Sequence, residues 1–211
     1  MTNNLVGVEK KAVAPFFKNG YLVFCKSTRQ AFYIDPGEEA PELLRRVRAE
    51  QLTLISIINT HAHVDHICGI ERVKKEWDIP VYLHPDDQFL YDALPEQAQW
   101  FGLEYTAAPP VDQPLHEGQR LKLGDLNVKI HHTPGHSPGG VCLELEEYVF
   151  CGDCIFAGSI GRTDLPGGSL TTLMNSIRQV ILPLGDNKIL CPGHGPETTI
   201  SQERNTNPFL I

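Results

Sequence analysis

Two kinds of apolar spacing alternate along the chain. Runs of strand length, "GYLVFCKS" (20–27), "QAFYIDPG" (30–37), "IPVYLH" (79–84) and "KILCPG" (188–193), are rich in β-branched and aromatic residues and stop at turn-forming or polar positions. "LTLISIIN" (52–59) is apolar almost throughout, which predicts a buried strand. Helical spacing takes over in "APELLRRVRAEQ" (40–51), where Leu43, Leu44 and Val47 share a face opposite the charges. It returns in "IERVKKEW" (70–77) and "SLTTLMNSIRQVIL" (169–182). The stretches "RLKLGDLNVKIHHT" (120–133) and "VCLELEEYVFCGD" (141–153) add further strands. Strand pairs punctuated by helices, twice over, predict one layered α/β domain over residues 1–211, built from two ββα-like halves.

Residues 85–118 fit this alternation least. A short helix there gives way to a Pro-rich, aromatic-bearing connection. Such segments serve as lids or binding loops, or as surface excursions over a small cluster, here under Trp100 and Phe101.

Charge narrows the partners. Eighteen basic against 26 acidic residues leave a net charge of −8, the wrong sign for nucleic acid or an anionic membrane surface. No apolar run is long enough to span a bilayer. The start, "MTNNLVGVEKKAVAPFF", lacks the layout of a secretory signal, so a cytoplasmic location is expected. The six scattered cysteines read as reduced thiols. "CGDC" (151–154) follows a strand-like run instead of opening a helix, so Cys151 and Cys154 read as core residues.

The densest chemistry lies in "NTHAHVDHICG" (59–69), where His61, His63, Asp65 and His66 occupy six positions. The stretch follows a buried strand and precedes a helix, where α/β proteins commonly place ligand sites. In extended backbone, residues two apart point the same way, so His61 and His63 can meet one ion. Asp65 and His66 then turn toward a second. Unmetallated, such a cluster is self-repelling once protonated. Three further candidates stand at strand ends: His136 in "TPGHSPGG", Asp153 in "FCGD" and His194 in "CPGHGP". His136 can complete the first site and His194 the second, with Asp153 bridging. His84, His116, His131 and His132 read as structural.

These motifs carry a resemblance. "THAHVDH", "TPGHSPGG", "CGD" and "PGHGP" resemble, in order, the motifs of the metallo-β-lactamase fold. Within it the chain is similar to the type II glyoxalases (hydroxyacylglutathione hydrolases), especially their short bacterial-type relatives. "IFAGSIGRTDLPGGS" (155–169) is similar to a segment those enzymes share with persulfide dioxygenases. The resemblance implies an αββα sandwich with metals at one edge. It assigns His61, His63 and His136 to a first ion, Asp65, His66 and His194 to a second, and Asp153 to both. Zinc is the first expectation, with iron or manganese as alternatives.

The implied chemistry is hydrolysis of a small thioester, S-(2-hydroxyacyl)glutathione, by a hydroxide held between two ions. Asp65 would orient that hydroxide. Asp164 is expected to fix a ligand histidine through its other ring N–H. Arg162 would support the loop or meet an anionic substrate group. Full-length type II glyoxalases hold glutathione with a C-terminal helical domain, whereas only "GPETTISQERNTNPFLI" follows His194 here. The rival within the fold is a glutathione persulfide dioxygenase with one iron on His61, His136 and Asp153. β-Lactam cleavage is not expected, because Asp153 stands where many such enzymes place a cysteine.

Overall fold

The computed structural model describes residues 5–211. The first four positions of the stretch read for a secretory signal lie outside the described residues.

Two six-stranded sheets face each other, with helices on both outer surfaces. The first sheet holds β1 (Val6–Val13), β2 (Lys18–Cys25) and β3 (Gln30–Ile34). After α1 (Ala40–Ala49) the chain returns as β4 (Thr53–Ile58), and α2 (Val64–Ile67) and α3 (Ile70–Lys74) lead to β5 (Val81–Leu83). Helices α4 (Gln88–Asp92) and α5 (Leu94–Trp100) precede the edge strand β6 (Gln113–Pro114). The second sheet comprises β7 (Arg120–Leu123), β8 (Leu126–His132), β9 (Val141–Leu145) and β10 (Tyr148–Gly152). A small hairpin, β11 (Ile155–Phe156) with β12 (Ser159–Ile160), and α6 (Leu170–Ser176) intervene before β13 (Ile189–Pro192), β14 (Thr198–Thr199) and α7 (Ile200–Thr206). The strand orders are β1-β2-β3-β4-β5-β6 and β14-β13-β10-β9-β8-β7.

Side-chain alternation explains the layers. Along β2, Leu22 and Phe24 point to the helices while Tyr21, Val23 and Cys25 point between the sheets. On β3, Ala31 and Tyr33 take the helical side and Phe32 and Ile34 the inter-sheet side. β4 keeps this match only through an irregularity. Ala31 pairs with Leu54 but Phe32 with Ser56, leaving Ile55 as the extra residue. The shift lets Leu54 and Ile57, three apart, face the same helices. On the second sheet, Val141, Leu143 and Leu145 fill the middle while Cys142 turns to the outer layer. Leu173 of α6 and Ile177 and Ile181 of the wider turn that continues it pack there. Each large aliphatic side chain so buried contributes about 1.5–3 kcal/mol.

The architecture is the expected α/β sandwich with a helix layer on each face. The amphipathic β1 was not anticipated. α3 stops at Lys74, short of the helix expected over 70–77. The six cysteines are free, and Cys151 and Cys154 are buried in the outer core, as their context indicated. Among the described residues no helix is long and apolar enough to cross a membrane.

The 85–118 segment divides in two. Leu90, Tyr91, Leu94 and Ala98 anchor α4 and α5 to the first core. Trp100 and Phe101, at the end of α5, remain more than half exposed.

The sheets are stitched at one rim. Parallel pairing of β3 with β4 and of β10 with β13 brings those strand ends together. Val141 N–H donates to the Thr60 carbonyl at 2.8 Å, and Asn19 N–H to that of Gly193 at 2.6 Å. The Tyr21 hydroxyl and the Asn19 amide both donate to the Pro192 carbonyl.

Candidate metal centre

Seven side chains meet at this rim, from four loops. His61 and His63 leave the end of β4, and Asp65 and His66 lie in the first turn of α2. His136 comes from the β8–β9 turn, Asp153 from the end of β10 and His194 from the end of β13. The ring nitrogens His63 Nδ1 and His136 Nε2 are 2.8 Å apart, and His136 Nε2 and His61 Nε2 3.2 Å. In a second group, His194 Nε2 lies 3.1 Å and His66 Nε2 3.5 Å from Asp65 Oδ2. Asp153 stands between the groups. Its Oδ1 is 3.4 Å from His66 Nε2, and its Oδ2 is 3.6 Å from both His136 Nε2 and His194 Nε2.

Neighbours outside the cluster set which nitrogen of each ring faces in. His66 Nδ1–H donates to Asp35 Oδ2 at 2.9 Å. His136 Nδ1–H donates to the Arg162 backbone carbonyl at 2.7 Å. His61 Nδ1 meets the Thr60 hydroxyl at 3.1 Å, and that hydroxyl donates to Asp35 at 2.6 Å. These bonds leave the Nε2 atoms of His61, His66 and His136 directed at the cluster.

The electrostatics ask for added positive charge. Burial, then the neighbouring histidines, holds His61 well below its ordinary pKa. Burial and His136 push His63 down to about 3. Burial alone would also lower His66, yet the carboxylates of Asp65, Asp153 and Asp35 hold it up to about 10. His63 Nε2, His66 Nε2 and Asp153 Oδ1 are buried without a hydrogen-bond partner. His61 and His63 held neutral, three carboxylates gathered around His66, and the orphaned His66 Nε2 and Asp153 Oδ1 between them make an arrangement that a bound cation satisfies. The donor set fits divalent ions: His61, His63 and His136 form one triad within ligand reach, and Asp65, His66 and His194 another.

Supporting residues that the sequence reading passed over hold the loops. Asp35 accepts the Thr60 N–H at 2.6 Å as well as the Thr60 hydroxyl and His66. Behind it, Lys18 and Glu39 form a buried ion pair at 3.0 Å, and Glu39 also accepts the Gly37 N–H at 2.9 Å. Asp87, fully buried, accepts the Ala62 N–H at 3.0 Å, the Ser137 hydroxyl at 2.8 Å and the Gly139 N–H at 2.5 Å. Ala62 sits between His61 and His63, and Ser137 follows His136, so Asp87 joins the two loops of the first triad. Gly193 leaves room for the cluster: a Cβ there would lie 2.1 Å from Asp153 Oδ1. The sequence signal for Asp35 was an acid closing a strand in "YIDPG".

Asp164 does not fix a ring. Its carboxylate is exposed and forms a two-pronged pair with Arg162, at 2.7 and 2.8 Å. The backbone carbonyl of Arg162 takes the role expected of Asp164, because the loop brings main chain, not the acid, against His136 Nδ1. Of the histidines read as structural, His84 stacks on His132 with centroids 4.1 Å apart. His132 Nε2–H donates to the Pro138 carbonyl at 2.9 Å, and His131 pairs with Glu144 at 2.9 Å.

A cleft of about 180 Å³ opens over the cluster. His63, Asp65, His136, Asp153 and His194 form its floor, and Phe16, Trp100, Phe101, Arg162 and Leu165 contribute to its walls.

Residues 13–194 match the Metallo-beta-lactamase superfamily. Among curated relatives, hydroxyacylglutathione hydrolase GloC of Haemophilus influenzae is 41% identical over 97% of this chain and 98% of its own. The crystal structure of the BLEG-1 B3 metallo-beta-lactamase is 40% identical, with a TM-score of 0.90 over 97% of this chain and 100% of that one. That of TTHA1623 in a di-iron-bound form is 40% identical, with a TM-score of 0.88 over 96% and 100%.

Proposed function

The chain belongs to the metallo-beta-lactamase superfamily and is a metallo-hydrolase of that fold, and from this premise we propose that it hydrolyses thioesters with two divalent ions. The substrate in this reading is an S-(2-hydroxyacyl)glutathione such as S-D-lactoylglutathione, cleaved by water to the 2-hydroxy acid and glutathione. The observation that carries the proposal is the pair of abutting ligand groups with Asp153 facing both. The likeness to GloC supports the choice of substrate.

His61, His63 and His136 would hold one ion, Asp65, His66 and His194 the other, and Asp153 both. When bound, such ions lower the pKa of a shared water toward neutrality and polarise a carbonyl. Asp65 orients the attacking water and takes up its proton. Asp35 and the Arg162 carbonyl accept the outer N–H of His66 and His136 and so keep the opposite ring nitrogens aimed inward. A thiolate leaves without a strong acid, so the cleft needs none. A one-iron site on His61, His136 and Asp153 would leave the second group without a task, which favours the two-ion reading.

The test is hydrolysis of S-D-lactoylglutathione by zinc-replete protein, with metal-stripped protein as control. A chromogenic β-lactam serves as comparator, because one neighbour is a B3 metallo-beta-lactamase by name. Metal-dependent thioester cleavage that exceeds β-lactam cleavage supports the proposal. Absence of thioester turnover in both zinc and iron forms rejects it.

A further inference from the structure

The two walls of the cleft differ in chemistry. On one side Phe16, in the β1–β2 turn, packs edge-on against Phe101 at 5.2 Å, and Trp100 precedes Phe101 at the end of α5. Trp100 and Phe101 are 61% and 52% exposed, although α5 is anchored by buried Leu94 and Ala98. Gln97 lies behind them and offers a ligand no polar group. Its amide donates to the Ala62 and Leu90 carbonyls and accepts the Val64 N–H, so its bonding is satisfied internally. On the other side stand Leu165 and Arg162, the one Lys or Arg among the described residues that line the cleft, its guanidinium paired with Asp164.

Two solvent-exposed aromatics held on an anchored helix beside a polar floor make an apolar contact surface of fixed shape. We propose that this aromatic wall reads the acyl arm of the substrate and selects 2-hydroxyacyl groups bearing a phenyl or branched alkyl substituent over the methyl of lactoyl. Charge assigns the two arms. Glutathione carries carboxylates, which gain nothing over an aromatic wall and keep their hydration on the opposite, open side, where the Arg162–Asp164 pair is exposed to solvent. That leaves the wall to the uncharged acyl group. Trp100 and Phe101 are therefore specificity-determining residues, and Phe16 buttresses Phe101.

This inference rests on the thioester reading for the identity of the arm, so its test separates binding from turnover. Zinc-replete protein is titrated calorimetrically with the product acids D-lactate and D-3-phenyllactate, and the two corresponding glutathione thioesters are assayed in parallel. The expected result is at least about tenfold tighter binding of phenyllactate, an apolar group of that size sufficing for such a ratio. W100A and F101A should each shrink the ratio, and the double variant should bring it below about threefold with metal content unchanged. Both residues are exposed, so the variants keep the fold. Equal binding of the two acids, or a ratio the double variant does not alter, overturns the inference. If the acids are discriminated but neither thioester is cleaved, the hydrolase reading fails while the apolar subsite stands. Cleavage of both thioesters at equal efficiency, without discrimination between the acids, does the reverse.

Discussion

The Asp35 carboxylate accepts the Nδ1–H of His66 at 2.9 Å, holding from outside the cluster a histidine that is itself fully buried. The same carboxylate accepts both donors of Thr60, whose hydroxyl meets His61. One acid thus orients a ring in each ligand group.

Asp35→Asn replaces one acceptor oxygen with a donor: an amide nitrogen in place of Oδ2 leaves both His66 Nδ1–H and the Thr60 hydroxyl without their acceptor, and one in place of Oδ1 leaves the Thr60 N–H without its own. Loss of such a supporting carboxylate lowers metal affinity about 10–100-fold. The second ion should be affected more than the first, because Thr60 intervenes before His61. Sequential metal titration of stripped protein measures both. Identical affinities for the variant and the parent would return Asp35 to a purely architectural role.

Asp87 makes the opposite forecast. It joins the loop of His61 and His63 to that of His136, and neither Asp65 nor His194. Asp87→Ala strands three buried donors, each worth about 1–3 kcal/mol. We expect a lower unfolding midpoint and weakening chiefly of the first ion. A variant that loses only the second ion would contradict the assignment.

The exposed Arg162–Asp164 pair should matter little to the metal. Asp164→Ala removes a partner of the Arg162 side chain but leaves the carbonyl that accepts the His136 N–H. Metal content should be unchanged. Loss of an ion in this variant would revive a role for Asp164 at the histidine.

One acid-labile contact lies far from the rim. Burial would raise the Glu144 pKa, but hydrogen bonds from Lys188 and His131 hold it below the ordinary value. A carboxyl depressed on folding contributes stability above its unfolded pKa and loses it as pH falls through the folded one. Glu144→Gln should therefore flatten the fall in melting temperature below about pH 4.5. Melting curves of equal slope for both proteins would assign that fall to other carboxylates.

The parts of the fold and site that were legible in sequence are those written locally. His61, His63, Asp65 and His66 crowd one loop, and the strands that deliver them are apolar enough to recognise alone. His136, Asp153 and His194 were found because each closes a strand at a Gly or Pro turn. Asp35 and Asp87 escaped because their role exists only through contacts with residues 25–52 positions away, which spacing does not reveal. Asp164 misled for the complementary reason: its position near the cleft in sequence says nothing of whether main chain or side chain reaches His136. β1 was passed over because its half-exposed, Lys- and Glu-bearing pattern resembles a loop until β2 supplies its partner.

The proposed chemistry depends on one carboxylate, Asp153, serving two ions. Metal titration of the stripped protein, followed by elemental analysis of the isolated complex, tests it most directly. Two bound ions per chain are expected for the parent, with loss of tight binding at both sites in Asp153→Ala. A single ion in the parent, or two retained ions in Asp153→Ala, would contradict it.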